Sequence, residues 1–169
     1  MTMTLGRALR IDRESGERFS SDYDQPFSLG AVAAYELGKK KCFSMNLRGL
    51  IFKREKSQDP CRWEASGRAQ FTSGQPFTPI YGVYDPFYEF FHPLRGVTNS
   101  ERYPNYFRLD LRIERTRAAR RVDWVTYLDV YNATWRKNPI MAIYNYEYSE
   151  LTTLAHIPIL PTLGVKAQF

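Results

Sequence analysis

The stretch FRLDLRIE, residues 107–114, decides the fold because its apolar and charged side chains alternate without a break. Successive residues of a β-strand point to opposite faces, so this alternation predicts a strand with two unlike faces. The apolar residues are Phe107, Leu109, Leu111 and Ile113. The charged residues are Arg108, Asp110, Arg112 and Glu114. Neighbouring charges cannot pack together in a dry core, because each would lose its hydration, so the charged face must be wet.

A period of two also marks the other strand candidates of the chain. It is clear over residues 27–37, 63–72, 124–131 and 162–169, and weaker around residues 4–11. Together with the first stretch, these segments predict an all-β protein of about six antiparallel strands. Several reach about 9–11 residues, the length that crosses a bilayer when a strand is tilted.

The lengths of the connections alternate along the chain. Residues 12–26, 74–106 and 132–160 are long, whereas residues 115–122 form a short basic turn. Long loops at one end of the strands and short turns at the other are typical of a transmembrane β-barrel with long extracellular loops. Residues 39–61 stand where a short turn is expected. A spanning strand there would invert every later strand, so we interpret this segment as a non-spanning insertion on the periplasmic side.

The composition is compatible with such a barrel. The chain has 169 residues, a net charge of +6, 15% aromatic residues and a mean hydropathy of −0.49. The aromatic content argues against disorder, and no apolar run approaches a membrane helix of about 18 residues. A β-barrel keeps its apolar side chains at every second position, so its mean hydropathy can resemble that of a soluble protein.

The sequence offers no motif for catalysis or for nucleic-acid binding. The basic residues are dispersed and no known nucleic-acid-binding motif occurs, so nucleic acid is not an expected partner. No catalytic or cofactor-binding motif occurs, and His92 and His156 lack metal-ligand spacing, so we expect no enzyme, no cofactor and no metal site. Cys42 and Cys61 are either two free thiols or a disulfide formed in an oxidising compartment.

Five stretches in series resemble one family, the TonB-dependent outer-membrane receptors, over the C-terminal part of their β-barrel. They are DYDQPFSLGAVAAYELG (22–38), SGQPFTPIYG (73–82), NSERYPNYFRLDLRIER (99–115), YLDVYNATWRKNP (127–139) and PILPTLGVKAQF (158–169). Together they span most of the chain and keep the order of the family. The chain departs from the family at Trp135, where asparagine is usual, and at the 39–61 segment, which interrupts a tight turn.

The resemblance implies a receptor with a signal peptide, a TonB-contacting segment, a globular plug and a barrel of about 22 strands. No signal peptide or plug is recognised in this sequence, and about six strands cannot close a membrane barrel, since single-chain examples begin at about eight. We therefore expect residues 1–169 to be the C-terminal barrel segment of such a receptor, open as an isolated chain and inactive alone. The parent receptor would import a siderophore or another large nutrient across the outer membrane of a Gram-negative cell.

The expected partners also follow from the resemblance. They are outer-membrane lipid, the barrel-assembly machinery and the remainder of the receptor, with TonB contacted only through the plug. A final strand that ends in an aromatic residue resembles the signal that the assembly machinery reads, with strand addition as its physical basis. The residues of this signal are Leu163, Val165, Ala167 and Phe169. The plainer interpretation is a closing strand with one lipid-facing phenylalanine.

Two further sets of side chains have both a functional and a structural interpretation. Aromatic side chains of the long loops could stack on a ligand, or they could form the aromatic girdle and pack the loops. They are Tyr84, Phe87, Tyr88, Phe90, Phe91, Tyr144 and Tyr146. Charged side chains that face the lumen could line a substrate path, or they could form ladders across strands and hold the plug. They are Arg68, Arg108, Asp110, Arg112 and Glu114.

A small soluble β-barrel of lipocalin type, which binds one ligand in its interior, is the alternative from another class. In such a barrel the apolar side chains point inward and the charged ones point to bulk water. In a membrane barrel the apolar side chains point outward instead. The period of two cannot choose between these arrangements, whereas the strand number, the long aromatic loops and Phe169 favour the membrane.

Overall fold

The computed structural model describes residues 1–40, 61–119 and 122–169, and every regular element in these ranges is a β-strand. In chain order the strands are β1 (Thr2–Leu5), β2 (Leu9–Ile11), β3 (Arg18–Ser20), β4 (Phe27–Lys40), β5 (Cys61–Thr72), β6 (Pro76–Phe77), β7 (Ile80–Asp85), β8 (Phe90–Arg95), β9 (Glu101–Arg102), β10 (Tyr106–Ala119), β11 (Val122–Tyr131), β12 (Pro139–Tyr144), β13 (Leu151–Ala155) and β14 (Leu160–Gln168). No helix able to span a membrane is found among the described residues.

Six of these strands form the main sheet. Their order is β1-β4-β5-β10-β11-β14, so strands that follow one another in this set are also neighbours in space, and the sheet is open with β1 and β14 at its edges. The pairs β1–β4, β10–β11 and β11–β14 are antiparallel. The predicted all-β fold, the antiparallel pairing and the open sheet of six strands are therefore confirmed.

The long connections, which were predicted as loops, contain short two-stranded ladders. The pairs are β2–β3, β6–β9, β7–β8 and β12–β13. Their strands are two to six residues long. A period of two is visible only over about four residues or more, so four of these eight strands, β2, β3, β6 and β9, are too short to show it.

The predicted opening strand around residues 4–11 is split into two strands. Residues of β1 join the main sheet, whereas those of β2 pair with β3. The backbone N–H of Ala8, between the two strands, donates to the Asp24 carboxylate over 2.7 Å instead of to a ladder carbonyl. This side-chain acceptor explains the interruption.

The chain divides into two compact units, which we describe separately. The hairpin unit comprises Met1–Ala31, Ala69–Arg108 and Thr134–Pro158. The sheet unit comprises Val32–Arg68, Leu109–Ala133 and Ile159–Phe169. The hairpin unit contains the four short ladders, and the sheet unit contains all of β11 and β14.

Apolar side chains of the sheet unit lie on its surface. Ile113 lies opposite Leu128, and Leu128 lies opposite Leu163. Directly opposed residues of antiparallel strands share a face, so these side chains and Leu111, two residues before Ile113, form one surface, which we call the apolar face. All four are exposed, Leu163 by 74%.

Few of the described hydrophobic side chains of the sheet unit are fully buried. Among the described residues, the only fully buried hydrophobic side chains are Cys61, at 0% exposure, and Val125, at 5%. A soluble domain of this size normally buries most of its large apolar side chains. The sheet unit therefore leaves large apolar side chains on its surface.

Candidate functional site

The other surface of β10 and β11 carries charges that are paired with one another. Arg112 lies opposite Asp129 in the β10–β11 register, and its Nη1 donates to Asp129 Oδ2 over 3.2 Å. Its Nε and Nη2 both lie 3.1 Å from Glu114 Oε2. Its guanidinium also stands 4.2 Å from the centroid of the Tyr127 ring. We call the surface formed by Arg112, Glu114, Tyr127 and Asp129 the charged face.

Most of the predicted lumen-facing residues meet in the sheet unit. Arg68, Asp110 and Arg112 line one shallow groove. Asp110 accepts a hydrogen bond from the backbone N–H of Asn132 over 3.0 Å. Arg108 belongs to the hairpin unit, where its Nη1 donates to the Tyr106 hydroxyl over 3.2 Å. These contacts are of the kind that the ladder interpretation predicts, and a role of these residues in a substrate path stays a prediction.

Gly164 makes room for part of the charged face and is not among the predicted site residues. Gly164 lies opposite Tyr127, and a Cβ at this position would overlap the tyrosine ring. The ring therefore lies over the glycine while Arg112 lies over the ring. A glycine inside a strand often marks a close approach of this kind, so its place in β14 was the available signal.

Four of the predicted ligand-loop residues form one aromatic cluster in the hairpin unit. The rings of Tyr84 and Phe91 are 5.1 Å apart, centroid to centroid. Tyr146, between β12 and β13, lies 6.0 Å from Phe90 and 5.9 Å from Phe91. These edge-to-face and tilted contacts join the β7–β8 hairpin to the β12–β13 hairpin.

The remaining three ligand-loop residues lie apart from this cluster. Phe87 and Tyr88, between β7 and β8, contact each other at 4.9 Å, and Phe87 is 83% exposed. The Tyr144 hydroxyl accepts a hydrogen bond from the backbone N–H of Ile80 over 3.0 Å, so this tyrosine also holds the two hairpins together. Phe87 and Tyr88, at the tip of the β7–β8 hairpin, are thus free to contact a ligand. The Tyr144 hydroxyl is instead engaged in the hydrogen bond between the hairpins.

The two hairpins approach each other closely at Gly82. A Cβ at Gly82 would overlap the backbone carbonyl oxygen of Glu147, and a backbone atom cannot move aside as a flexible side chain can. Only glycine allows β7 to lie this close to the β12–β13 turn.

We expect Gly82→Ala to lower the free energy of unfolding of the hairpin unit by about 1–3 kcal/mol, the usual cost of overpacking. Thermal unfolding followed by circular dichroism measures this loss. Gly6→Ala is the matched control, because a Cβ at Gly6 meets nothing within 4 Å. Equal melting temperatures for the two variants would show that the hairpins are not held at this distance.

An ion pair between a buried aspartate and a partly exposed arginine, neither of them among the predicted site residues, holds the hairpin unit together. Asp24 is 1% exposed and pairs with the Arg102 guanidinium, whose Nη1 also donates to the carbonyl oxygens of Asp24 and Gly74 over 2.8 and 3.1 Å. The N–H of Ala8 and the positive charge of Arg102 lower the pKa of the Asp24 carboxyl. Both residues fall within stretches that carry the family resemblance, but no local pattern identifies them as partners.

Asn138 replaces a missing ladder partner in the same unit. Its side-chain oxygen accepts the N–H of Phe107 over 3.0 Å, and its Nδ2 donates to the carbonyl oxygen of Phe107 over 2.8 Å. Asn138 is fully buried, as is Asp24. The hairpin unit is thus organised by buried polar side chains whose hydrogen bonds are satisfied.

The predicted assembly strand is β14, an edge of the main sheet. Leu163, Val165 and Ala167 lie opposite Leu128, Thr126 and Trp124. They therefore share the apolar face. Phe169 follows the strand and is fully exposed. The structure brings the predicted signal residues to one edge, and their recognition by an assembly machinery stays a prediction.

The cysteine and histidine predictions have different outcomes. Cys61 is disulfide-bonded, while Cys42 and most of the predicted 39–61 insertion lie outside the described residues, so the pairing stays a prediction.

The two histidines lie apart from each other. His92 Nε2 is 3.6 Å from Asp85 Oδ2, and the centroid of the His156 ring is 6.4 Å from that of the Tyr106 ring. In the described ranges no group of three or more histidine, cysteine, aspartate or glutamate residues could hold a metal ion.

Comparisons with models of protein families, with curated proteins and with solved structures find no match to this chain. The structure by itself defines a class of fold, an open antiparallel sheet with an exposed apolar face and a face of paired charges.

Proposed function

We propose that the chain is the C-terminal barrel segment of a TonB-dependent outer-membrane receptor that takes up a siderophore or another large nutrient. The observation that carries this proposal is the distribution of side chains over the sheet unit. The apolar face is exposed, and the ion pairs of Arg112 lie on the opposite face. This is the distribution of a barrel wall with lipid outside and water inside.

Lipid contact would stabilise the apolar face substantially. Removing a leucine or isoleucine side chain from water contributes about 1.5–3 kcal/mol. Leu111, Ile113, Leu128 and Leu163 are all partly or largely in contact with solvent. A bilayer would cover all four without any change in the sheet.

The edges of the sheet support the idea that further strands complete it. Strands β1 and β14 are each paired on one side only. An unpaired backbone N–H or C=O group in a bilayer costs several kcal/mol, so a spanning sheet must close. In the proposal the remainder of the receptor supplies the missing strands, and its plug supplies the contact with TonB. The segment by itself performs no transport.

The sequence supports the narrower family assignment. The five stretches that resemble the family keep its order, and they include β14 with Phe169 at its end. We propose that this strand is the signal for the barrel-assembly machinery in a Gram-negative outer membrane. We also propose that the exposed aromatic side chains at Phe87 and Tyr88 belong to an extracellular ligand-contact surface. The proposal includes no catalytic step and no cofactor.

The lipocalin-type alternative is less compatible with two observations. A soluble barrel encloses its apolar side chains, whereas Leu128 and Leu163 are exposed. A closed barrel also has no edge strands, whereas the main sheet ends at β1 and β14.

Fractionation of Gram-negative cells tests the proposal. The chain, directed to the periplasm by an added secretion signal, is expected to sediment with the outer membrane and to need detergent for extraction. Phe169→Ala is expected to reduce this fraction, whereas Gln168→Ala, one residue earlier, is the control and should not. A chain that remains a soluble monomer in plain buffer would contradict the proposal and favour the lipocalin-type alternative.

A receptor chimera tests the family assignment. A TonB-dependent receptor whose own C-terminal strands are replaced by this chain is expected to reach the cell surface, as measured by antibody binding to intact cells. The isolated chain in liposomes is expected to give no flux of a ferric siderophore. Flux through the isolated chain, or degradation of every such chimera, would argue against the assignment.

A further inference from the structure

A cavity of about 330 Å³ lies within the hairpin unit. Five segments of the chain meet there: the turn before β4, the end of β5 with the residues after it, the residues that lead into β10 with its first residue, the start of β12, and the residues after β13. Its chemically informative lining residues are Gln25, Gln70, Gln75, Tyr103, Tyr106 and His156. The volume is at the lower end of the range for small-molecule sites.

The three glutamine side chains are available to a ligand. Within the described part of the chain, no side-chain hydrogen bond engages Gln25, Gln70 or Gln75. Gln25 and Gln70 are half-buried. A carboxamide carries two N–H donors and one carbonyl acceptor, and a hydroxyl group is likewise both donor and acceptor. Three unengaged amides around one cavity therefore suit a ligand that is rich in hydroxyl groups.

The cavity has no strongly charged lining. None of the described residues around it is a lysine, arginine, aspartate or glutamate. An anionic ligand would lose its hydration on entry without gaining an ion pair, which is unfavourable. The lining thus selects against anionic metal chelates and in favour of neutral ligands.

Aromatic rings give the cavity fixed walls. The Tyr103 ring is stacked on Phe77 at 4.5 Å between centroids, and its hydroxyl accepts the N–H of Ala142 over 2.9 Å. The Tyr106 ring contacts the His156 ring edge-on. Rings held in this way present flat apolar faces together with polar tips. A pyranose ring, with C–H groups on its faces and hydroxyl groups at its rim, complements such walls.

We propose that this cavity binds a neutral saccharide unit, with the glutamine amides contacting its hydroxyl groups and the tyrosine rings contacting its C–H surface. The inference rests on the proposed function, since it names the class of nutrient that the receptor recognises. Binding itself can be measured without transport, which separates the two proposals.

Isothermal titration calorimetry on the purified full chain tests the inference. The chain is held in a zwitterionic detergent without a sugar headgroup, which would compete for the cavity. The probes are neutral trisaccharides of glucose, mannose, galactose or N-acetylglucosamine, with ferric citrate as the anionic comparison. We expect saturable binding of at least one trisaccharide and no binding of ferric citrate.

Variants locate the binding. Gln70→Leu combined with Gln75→Leu is expected to weaken trisaccharide binding about tenfold or more, since two hydrogen-bonding groups are lost. Gln168→Leu, on β14 and outside the cavity, is the control and should leave affinity unchanged. Circular dichroism verifies that each variant keeps its strand content.

Three outcomes would overturn the inference: no trisaccharide binds, ferric citrate binds and is lost in the double variant, or the double variant binds as tightly as the original chain. Outer-membrane insertion without trisaccharide binding would contradict the inference and leave the proposed function standing. Trisaccharide binding at the cavity by a soluble monomeric chain would contradict the proposed function and support binding of a saccharide at this cavity.

Discussion

Leu128→Arg is expected to weaken the partitioning of the chain into phospholipid vesicles by about 2–4 kcal/mol, the cost of a charge on the lipid side of a membrane barrel. Leu128 lies between Ile113 and Leu163 in the register, at the centre of the apolar face. A guanidinium here would have to leave water whenever the apolar face enters the bilayer. This substitution tests the orientation of the sheet directly.

Vesicle flotation measures the effect as the bound fraction at increasing lipid concentration. Thr162→Arg is the matched control, because Thr162 lies opposite Asp129 and so belongs to the charged side of the sheet. Its added charge would face water and a carboxylate, and partitioning should change by less than about 1 kcal/mol. Equal losses for the two variants would contradict the assigned faces.

Asp24→Ala is expected to lower the free energy of unfolding of the hairpin unit by about 2–4 kcal/mol, since it leaves the Ala8 N–H and the Arg102 guanidinium without their common acceptor. The value is below that for a fully buried pair because the Arg102 side chain is 34% exposed. Chemical unfolding at neutral pH measures the loss. Glu17→Ala, an exposed carboxylate in the same unit, is the control and should have little effect.

The lowered pKa of Asp24 makes this contribution depend on pH. The folded-state pKa lies below that of the unfolded chain, so the stabilisation is fully present above the unfolded value of about 3.9. It is lost as the pH falls through the folded-state pKa. Asp24→Asn keeps an acceptor for Ala8 but cannot ionise, so this part of the acid-induced loss of stability should disappear. An unchanged acid profile in Asp24→Asn would contradict the assignment.

The main strands were predictable because their signal is local. In residues 107–114 the alternation of apolar and charged side chains predicts the face on which each one lies. The structure places Leu111 and Ile113 on one surface and Arg112 and Glu114 on the other. About six segments of the sequence show this period of two, and this number predicts the six strands of the main sheet. The β2–β3 and β6–β9 ladders were not predictable, since strands of two or three residues cannot display a period.

The contacts that organise the hairpin unit were out of reach of sequence patterns. Asp24 and Arg102 are 78 residues apart, and neither differs locally from an ordinary surface charge. The cavity is likewise assembled from glutamines at positions 25, 70 and 75, which become neighbours only after folding. Gly82 and Gly164 were predictable in part. A glycine inside a strand indicates that another group of the protein lies close to the backbone there, but it does not identify that group.

Spin-label accessibility at adjacent positions of β11 tests the central claim most directly. Cysteine is introduced in place of Leu128 or Asp129, a nitroxide is attached, and collision with oxygen and with a water-soluble nickel chelate is measured in vesicles. Neighbouring strand residues point to opposite faces, so the two labels probe the two sides of the sheet. We predict that the label at 128 collides mainly with oxygen, which concentrates in lipid, and the label at 129 mainly with the chelate. A label at 128 that collides mainly with the chelate would contradict a lipid-facing apolar surface.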